Sequence, residues 1–171
     1  LVMSSGPDTA NQIAHEELTK GSTSLLIDLF SIGSSNLEQI LEGIYPEMTT
    51  ISLHPNPYGF EAGEKLLELW RSKNLSSCKG DLGLDPLGVS SRYGGETDWN
   101  GIVEATISTQ DHPDVHSITI DSTVYAEAGA SEAWELACSL STAVAYLRHL
   151  QDNGIERSEE HTSELQSPLD I

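Results

Sequence analysis

Residues 116–150, "HSITIDSTVYAEAGASEAWELACSLSTAVAYLRHL", decide the fold. The first six, "HSITID", are a short apolar, β-favouring run that closes on an acid. A polar loop follows. Over residues 130–152, Ala133, Ala137, Leu140, Val144, Leu147 and Leu150 then recur at steps of three and four, which predicts one face of a long helix. Strand, loop and helix in that order make a βα unit, and in α/β enzymes such junctions carry chemistry.

Upstream, three further runs have strand character: "SLLIDLF" at 24–30, "TTISLH" at 49–54 and "GDLGLD" at 80–85. The third is the weakest, because Gly83 interrupts it. Helical patterns fall between them. Residues 34–43 place Leu37, Ile40 and Leu41 on one face, with Ser34 or Ser35 as N-cap. Residues 59–73 do the same with Phe60, Leu66, Leu67 and Trp70, and residues 98–109 with Trp99, Ile102, Val103 and Thr106. A helix over about 8–20 precedes the first strand.

Strand followed by helix, four times at a spacing of about 25–37 residues, implies right-handed crossovers and a parallel sheet. Two architectures fit, an open doubly wound sheet and part of an eight-stranded barrel. No G-x-G-x-x-G follows the first strand and no G-x-x-x-x-G-K-[ST] occurs, so the dinucleotide and nucleoside-triphosphate classes lose weight. The expected fold is α/β: a partial (β/α)8 TIM barrel of about four βα units, over residues 1–156. Four units are half of such a barrel, and Leu1 is an odd first residue, so a fragment is expected.

The periodic pattern stops at Asn153-Gly154, a good helix terminator. Residues 157–167, "RSEEHTSELQS", match the conceptual translation of a common sequencing-library adapter. Residues 157–171 are therefore expected to be non-native, disordered or a short helix, and to lie outside the fold.

Composition excludes several partners. The net charge is −19, with 27 acids against eight Lys and Arg, and such a surface repels nucleic-acid phosphates. No apolar run approaches the roughly 18 residues a membrane helix needs. Two cysteines, Cys78 and Cys138, make no metal-binding spacing and read as reduced thiols of a cytoplasmic protein.

In a barrel, function gathers at the C-terminal ends of the strands. Those ends hold Asp28, His54, Asp85, and Asp121 with Ser122 and Thr123. His54 suits either a general base or a loop cap bonded to backbone. Each aspartate suits either a carboxylate site or a cap on the following loop. His112 and His116 are four apart, but Pro113 between them prevents a shared helix face and a metal pair.

The 116–150 block resembles the methylmalonyl-CoA mutase family, in which a strand leads to a loop ending in "EAG" and then to a helix patterned A-x-x-E-L-A-x-x-L-A-x-x-x-x-Y-x-R. Here Glu127-Ala128-Gly129, Glu135-Leu136-Ala137, Leu140, Tyr146 and Arg148 fill those places. The resemblance extends over roughly residues 10–154, with "GDLGLDPLG" on the preceding barrel strand and "ISLHPNPYGFEAGEKLLELW" on the strand and helix before it. It implies a barrel that threads coenzyme A and a separate domain that binds adenosylcobalamin, together interconverting methylmalonyl-CoA and succinyl-CoA.

Catalytic members carry a His before "EAG" and a Gln on the preceding strand. By position the His place is Val124 and the Gln place is Gly83, and neither side chain can donate a hydrogen bond. The resemblance is therefore to the small, non-catalytic subunit of the bacterial heterodimer. That implies no catalytic residue and no cofactor on this chain, a large catalytic subunit as partner, and adenosylcobalamin in that partner. The family's D-x-H-x-x-G cobalamin run does not occur. His54, Asp85, Ser122, Thr123 and Glu127 remain as candidates lining a substrate channel. The alternative is a fragment of an active acyl-CoA mutase of altered specificity, with His54 or Asp85 as substitute polar groups.

Overall fold

The computed structural model describes residues 6–75 and 77–155. Helix α1 (Pro7–Thr19) precedes strand β1 (Ser24–Ile27); β2 (Thr50–Leu53), β3 (Gly80–Leu84) and β4 (Val115–Ile118) follow. The four strands form one sheet in the order β1-β2-β3-β4, each pair parallel. Parallel neighbours need a crossover. These are supplied by α2 (Leu37–Ile40) with the 3-10 turn before it, by α3 (Phe60–Ser72), and by α4 (Pro86–Tyr93) with α5 (Trp99–Ser108). After β4 come the short α6 (Thr123–Glu127) and the long α7 (Glu132–Asp152). A doubly wound sheet reverses its strand order at a switch point, whereas a barrel adds each strand beside the last. The observed order never reverses, so the sheet is an arc of the barrel type.

Strand side chains alternate between the two faces. Leu25, Ile27, Ile51, Leu53, Leu82 and Leu84 are buried beneath the helices, where they meet Leu66, Leu67 and Trp70 of α3. Each such fully buried side chain contributes about 1.5–3 kcal/mol. The opposite face carries Ser24, Leu26, Ser52, Asp81 and His116, none of them buried. A second cluster joins Ile102 of α5 to Tyr146 and Leu150 of α7.

Three expectations need correction. The run interrupted by Gly83 is not the weakest strand: β3 has five residues, one more than each of the others. Gly83 adopts φ +68°, the ladder to β4 shifts register between Asp81 and Leu84, and the strand bulges instead of ending. The pattern over 34–43 gives only a 3-10 turn at Ser34–Asn36 and one α-turn, and no serine caps it. The Ser34 hydroxyl instead donates to Glu61 (3.1 Å) and accepts from Lys65 Nζ (3.0 Å).

The third correction concerns α7. Of the face read from its periodicity only Leu150 is buried; Leu140, Val144 and Leu147 are exposed, as are Leu136 and Trp134. The buried face runs through Thr142, Tyr146 and Leu150. The segment 157–171 lies outside the described residues.

Candidate functional site

A hollow of about 480 Å³ sits at the C-terminal ends of the strands, on the face away from the helices, and Leu26, Ser52, His54, Asp81, Thr119 and Asp121–Thr123 line it. Of the residues expected there, His54, Ser122 and Thr123 are present. Val124 is half-buried in the first turn of α6 and lies beside that lining, not within it. Asp85 and Gly83 face elsewhere, onto a cleft of about 120 Å³ shared with Asn56, Tyr58 and Asp98.

His54 follows β2 and is half-buried. Its Nδ1 donates to the Pro55 carbonyl at 3.0 Å, which leaves Nε2 as the acceptor nitrogen. Asn56 then closes the loop: its Nδ2 donates to the His54 carbonyl (2.9 Å) and its Oδ1 accepts from the Tyr58 N–H (3.0 Å). His54 thus caps its own loop while bordering the hollow.

Asp85 is 2 % exposed. It is the N-cap of α4, with Oδ1 accepting from the Gly88 N–H at 3.1 Å and from the Tyr146 hydroxyl at 2.5 Å. Its Oδ2 accepts from the Asp121 N–H at 2.8 Å. The Tyr146 oxygen in turn accepts from the Leu87 N–H (2.8 Å). Among the described residues no cation pairs with this carboxylate; three donors and the positive end of α4 balance its charge. One buried side chain therefore ties β3, α4, the β4–α6 loop and α7 together. Burial first, and then the Asp85 hydrogen bond, push the Tyr146 hydroxyl well above its ordinary range.

The β4–α6 junction is pinned just as fully. Ser122 Oγ donates to Glu135 on α7 (2.7 Å). Thr123 Oγ1 donates to Asp121 (2.5 Å) and accepts from Arg92 on α4 (2.8 Å). Arg92 Nη2 also lies 3.3 Å from Asp121 and 3.1 Å from Glu127. Tyr125 Oη and Thr142 Oγ1 are 2.5 Å apart. Asp28 and Asp121 accept from the N–H groups of Phe30 (2.9 Å) and Thr123 (3.0 Å), so both cap their loops.

Sequence reading missed Arg92. Its only signal was scarcity, as one of eight basic residues in a strongly acidic chain. Tyr146 was visible as a place in the helix pattern, but nothing local pointed to its partner 61 residues away.

The strand, junction and long helix that build this arrangement belong to a recognised family. The family model described as methylmalonyl-CoA mutase matches residues 101–163. The methylmalonyl-CoA mutase small subunit of Streptomyces virginiae is 35% identical over 158 residues, covering 89% of this chain and 26% of its own length. This chain belongs to the methylmalonyl-CoA mutase family. The small subunit of Propionibacterium freudenreichii subsp. shermanii is 30% identical over 149 residues, covering 84% of this chain and 23% of its own. A probable small subunit of Mycobacterium tuberculosis (strain ATCC 25618 / H37Rv) is 28% identical over 143 residues. The chain therefore spans about a quarter of the length of the curated mutase relatives it matches. Among its described residues, no helix is long and apolar enough to cross a membrane, and no group of three or more His, Cys, Asp and Glu could hold a metal ion.

Proposed function

We propose that this chain is part of a small, non-catalytic mutase subunit, which pairs with a large catalytic chain and stabilises it. The partner would hold adenosylcobalamin and interconvert methylmalonyl-CoA and succinyl-CoA. One observation carries the reading. At the junction where the family places its reactive histidine, the side chains of Ser122, Thr123 and Glu127 are already bonded within the chain, and position 124 is a valine. An isopropyl group cannot stabilise charge on a thioester oxygen, where one well-aimed donor is worth roughly 3–4 kcal/mol, a factor of about 10²–10³ in rate. Asp85 does not replace it, because its oxygens are taken by three donors of the scaffold. The D-x-H-x-x-G run of the family's cobalamin domain does not occur within these residues. Two unpaired cysteines, Cys78 and Cys138, suit a cytoplasmic setting, and the charge of −19 argues against a nucleic-acid partner.

The second reading, an active mutase of altered specificity, is favoured by His54, which borders the hollow with Nε2 free of intraloop duty. Both are tested with the full-length subunit, alone and with its large partner. The partner reading expects no turnover of methylmalonyl-CoA by the subunit alone with adenosylcobalamin, and a higher melting temperature or activity of the large chain when paired. Turnover by the subunit alone, lost on His54→Ala, would favour the second reading; an indifferent large chain would sink the first.

A further inference from the structure

We infer that position 83 is reserved for glycine by the backbone itself, with Asp81 as the positioning residue, so that β3 cannot present a side chain toward an acyl-CoA from this place. The inference deepens the partner-subunit reading and rests on the match of Gly83 to the family's glutamine. Three observations carry it. Gly83 has φ +68°, a region that L side chains rarely adopt. A Cβ there would overlap the Leu53 carbonyl oxygen of β2, well inside the 3.0 Å that real Cβ atoms keep, and its nearest neighbours include backbone atoms that no rotamer change can move. The conformation is also held from within the strand: Asp81 Oδ1 accepts the Gly83 N–H at 2.7 Å, where the ladder to β4 shifts register.

The close approach is a property of the strand pair, not of one residue. Gly80, three positions earlier, would drive a Cβ into the Ile51 carbonyl of the same β2 strand. The two glycines of "GDLGLD" therefore let β3 run against the β2 backbone, and Asp81 between them fixes the bulge. A glutamine at 83 requires φ to reverse, the bulge to unwind and the strand to step away from β2. The polar group absent here is thus excluded by main-chain geometry, and a single substitution cannot return it.

The test uses the full-length subunit paired with its large partner, read by melting temperature and by partner turnover. Gly83→Ala and Gly83→Gln should each lower the melting temperature of the small subunit by several degrees or make it insoluble. Asp81→Leu, which removes the acceptor for the Gly83 N–H, should also lower it, and Asp81→Asn, which keeps an oxygen in place, should restore most of the loss. A Gly83→Gln complex that melts like the wild type overturns the inference, as does an Asp81→Leu subunit of unchanged stability. Either result leaves the partner-subunit reading standing, because that reading is judged by whether the wild-type subunit changes the large chain.

Discussion

Replacing Tyr146 by Phe isolates the Asp85 clasp. The ring stays, together with its edge-on packing against Trp99 at 6.0 Å, so no cavity opens. Only the hydroxyl goes. Asp85 then loses one of three donors while remaining 2 % exposed, and a hydrogen bond to a charged group contributes about 1.5–3 kcal/mol. The Leu87 N–H loses its acceptor as well, which costs about 1–3 kcal/mol if no substitute is found. Since the loop can relax toward solvent, the lower half of the combined range applies, about 3 kcal/mol. At roughly 2–4 °C per kcal/mol for a chain of this size, the melting temperature should fall by about 6–12 °C. Asp85→Asn should cost at least as much, because its amide nitrogen either faces the Asp121 N–H or takes the place of Oδ1 and leaves the Gly88 N–H and the Tyr146 hydroxyl without that acceptor. Scanning calorimetry of the wild type and both variants measures the effect. A Tyr146→Phe protein melting within a degree or two of the wild type would show that the four elements are held by something else.

Other outcomes follow from the same geometry. Because Tyr146 titrates higher when folded than its unfolded value of about 10, its contribution is whole below that pH and is lost as pH rises past it; denaturation against pH should steepen above about 10 in the wild type and not in Tyr146→Phe. Cys78 is buried, and burial followed by the Glu47 charge pushes its thiol up to about 11. A disulfide exchange reagent at pH 8 should therefore label Cys138 first and Cys78 only on unfolding, and two fast equivalents would contradict this. Arg92→Ala removes one cation from Asp121, Thr123 and Glu127, worth about 1–2 kcal/mol after discounting the exposed Glu127; amides of 121–129 should exchange about tenfold faster, and unchanged exchange would refute the clamp. Residues 1–156 alone should self-associate through the bare apolar face of α7, and Leu140→Glu with Leu147→Glu should return a monomer on a sizing column; a monomeric wild-type piece would contradict this.

Most of the architecture was legible because it rests on local rules. Short apolar, β-favouring runs marked β1 and β2, and helical spacing of apolar residues marked α3, α5 and α7 within one or two residues. What failed depended on partners distant in sequence. The apolar stripe of α7 was found correctly as a stripe, but the helix turns Tyr146 and Thr142 inward instead, because Asp85 and Tyr125 need their hydroxyls. Gly83 was read as a strand breaker because its left-handed φ, stabilised by a carboxylate two residues back, is invisible to propensity. All three aspartates follow strands and cap their loops, one of the two roles their positions left open, and Asp85, also a candidate for the channel, faces a different cleft. That Asp85 reaches α7, and that Arg92 unites three acceptors, depended on helices whose placement no local pattern fixes.

The concave side of the sheet, with its row of Ser52, Asp81 and His116 in register across β2, β3 and β4, has a consequence for how this protein tolerates change. The side chains of that row are polar and none is buried, so cohesion comes mainly from the shell of helices packed on the opposite side of the sheet. Trimming a leucine on that back should hurt far more than replacing Ser52 or His116 on the inner face. Natural variation can then repaint Ser52 and His116 on the inside of such an arc more freely than the outside, while Asp81 stays tied to the Gly83 backbone.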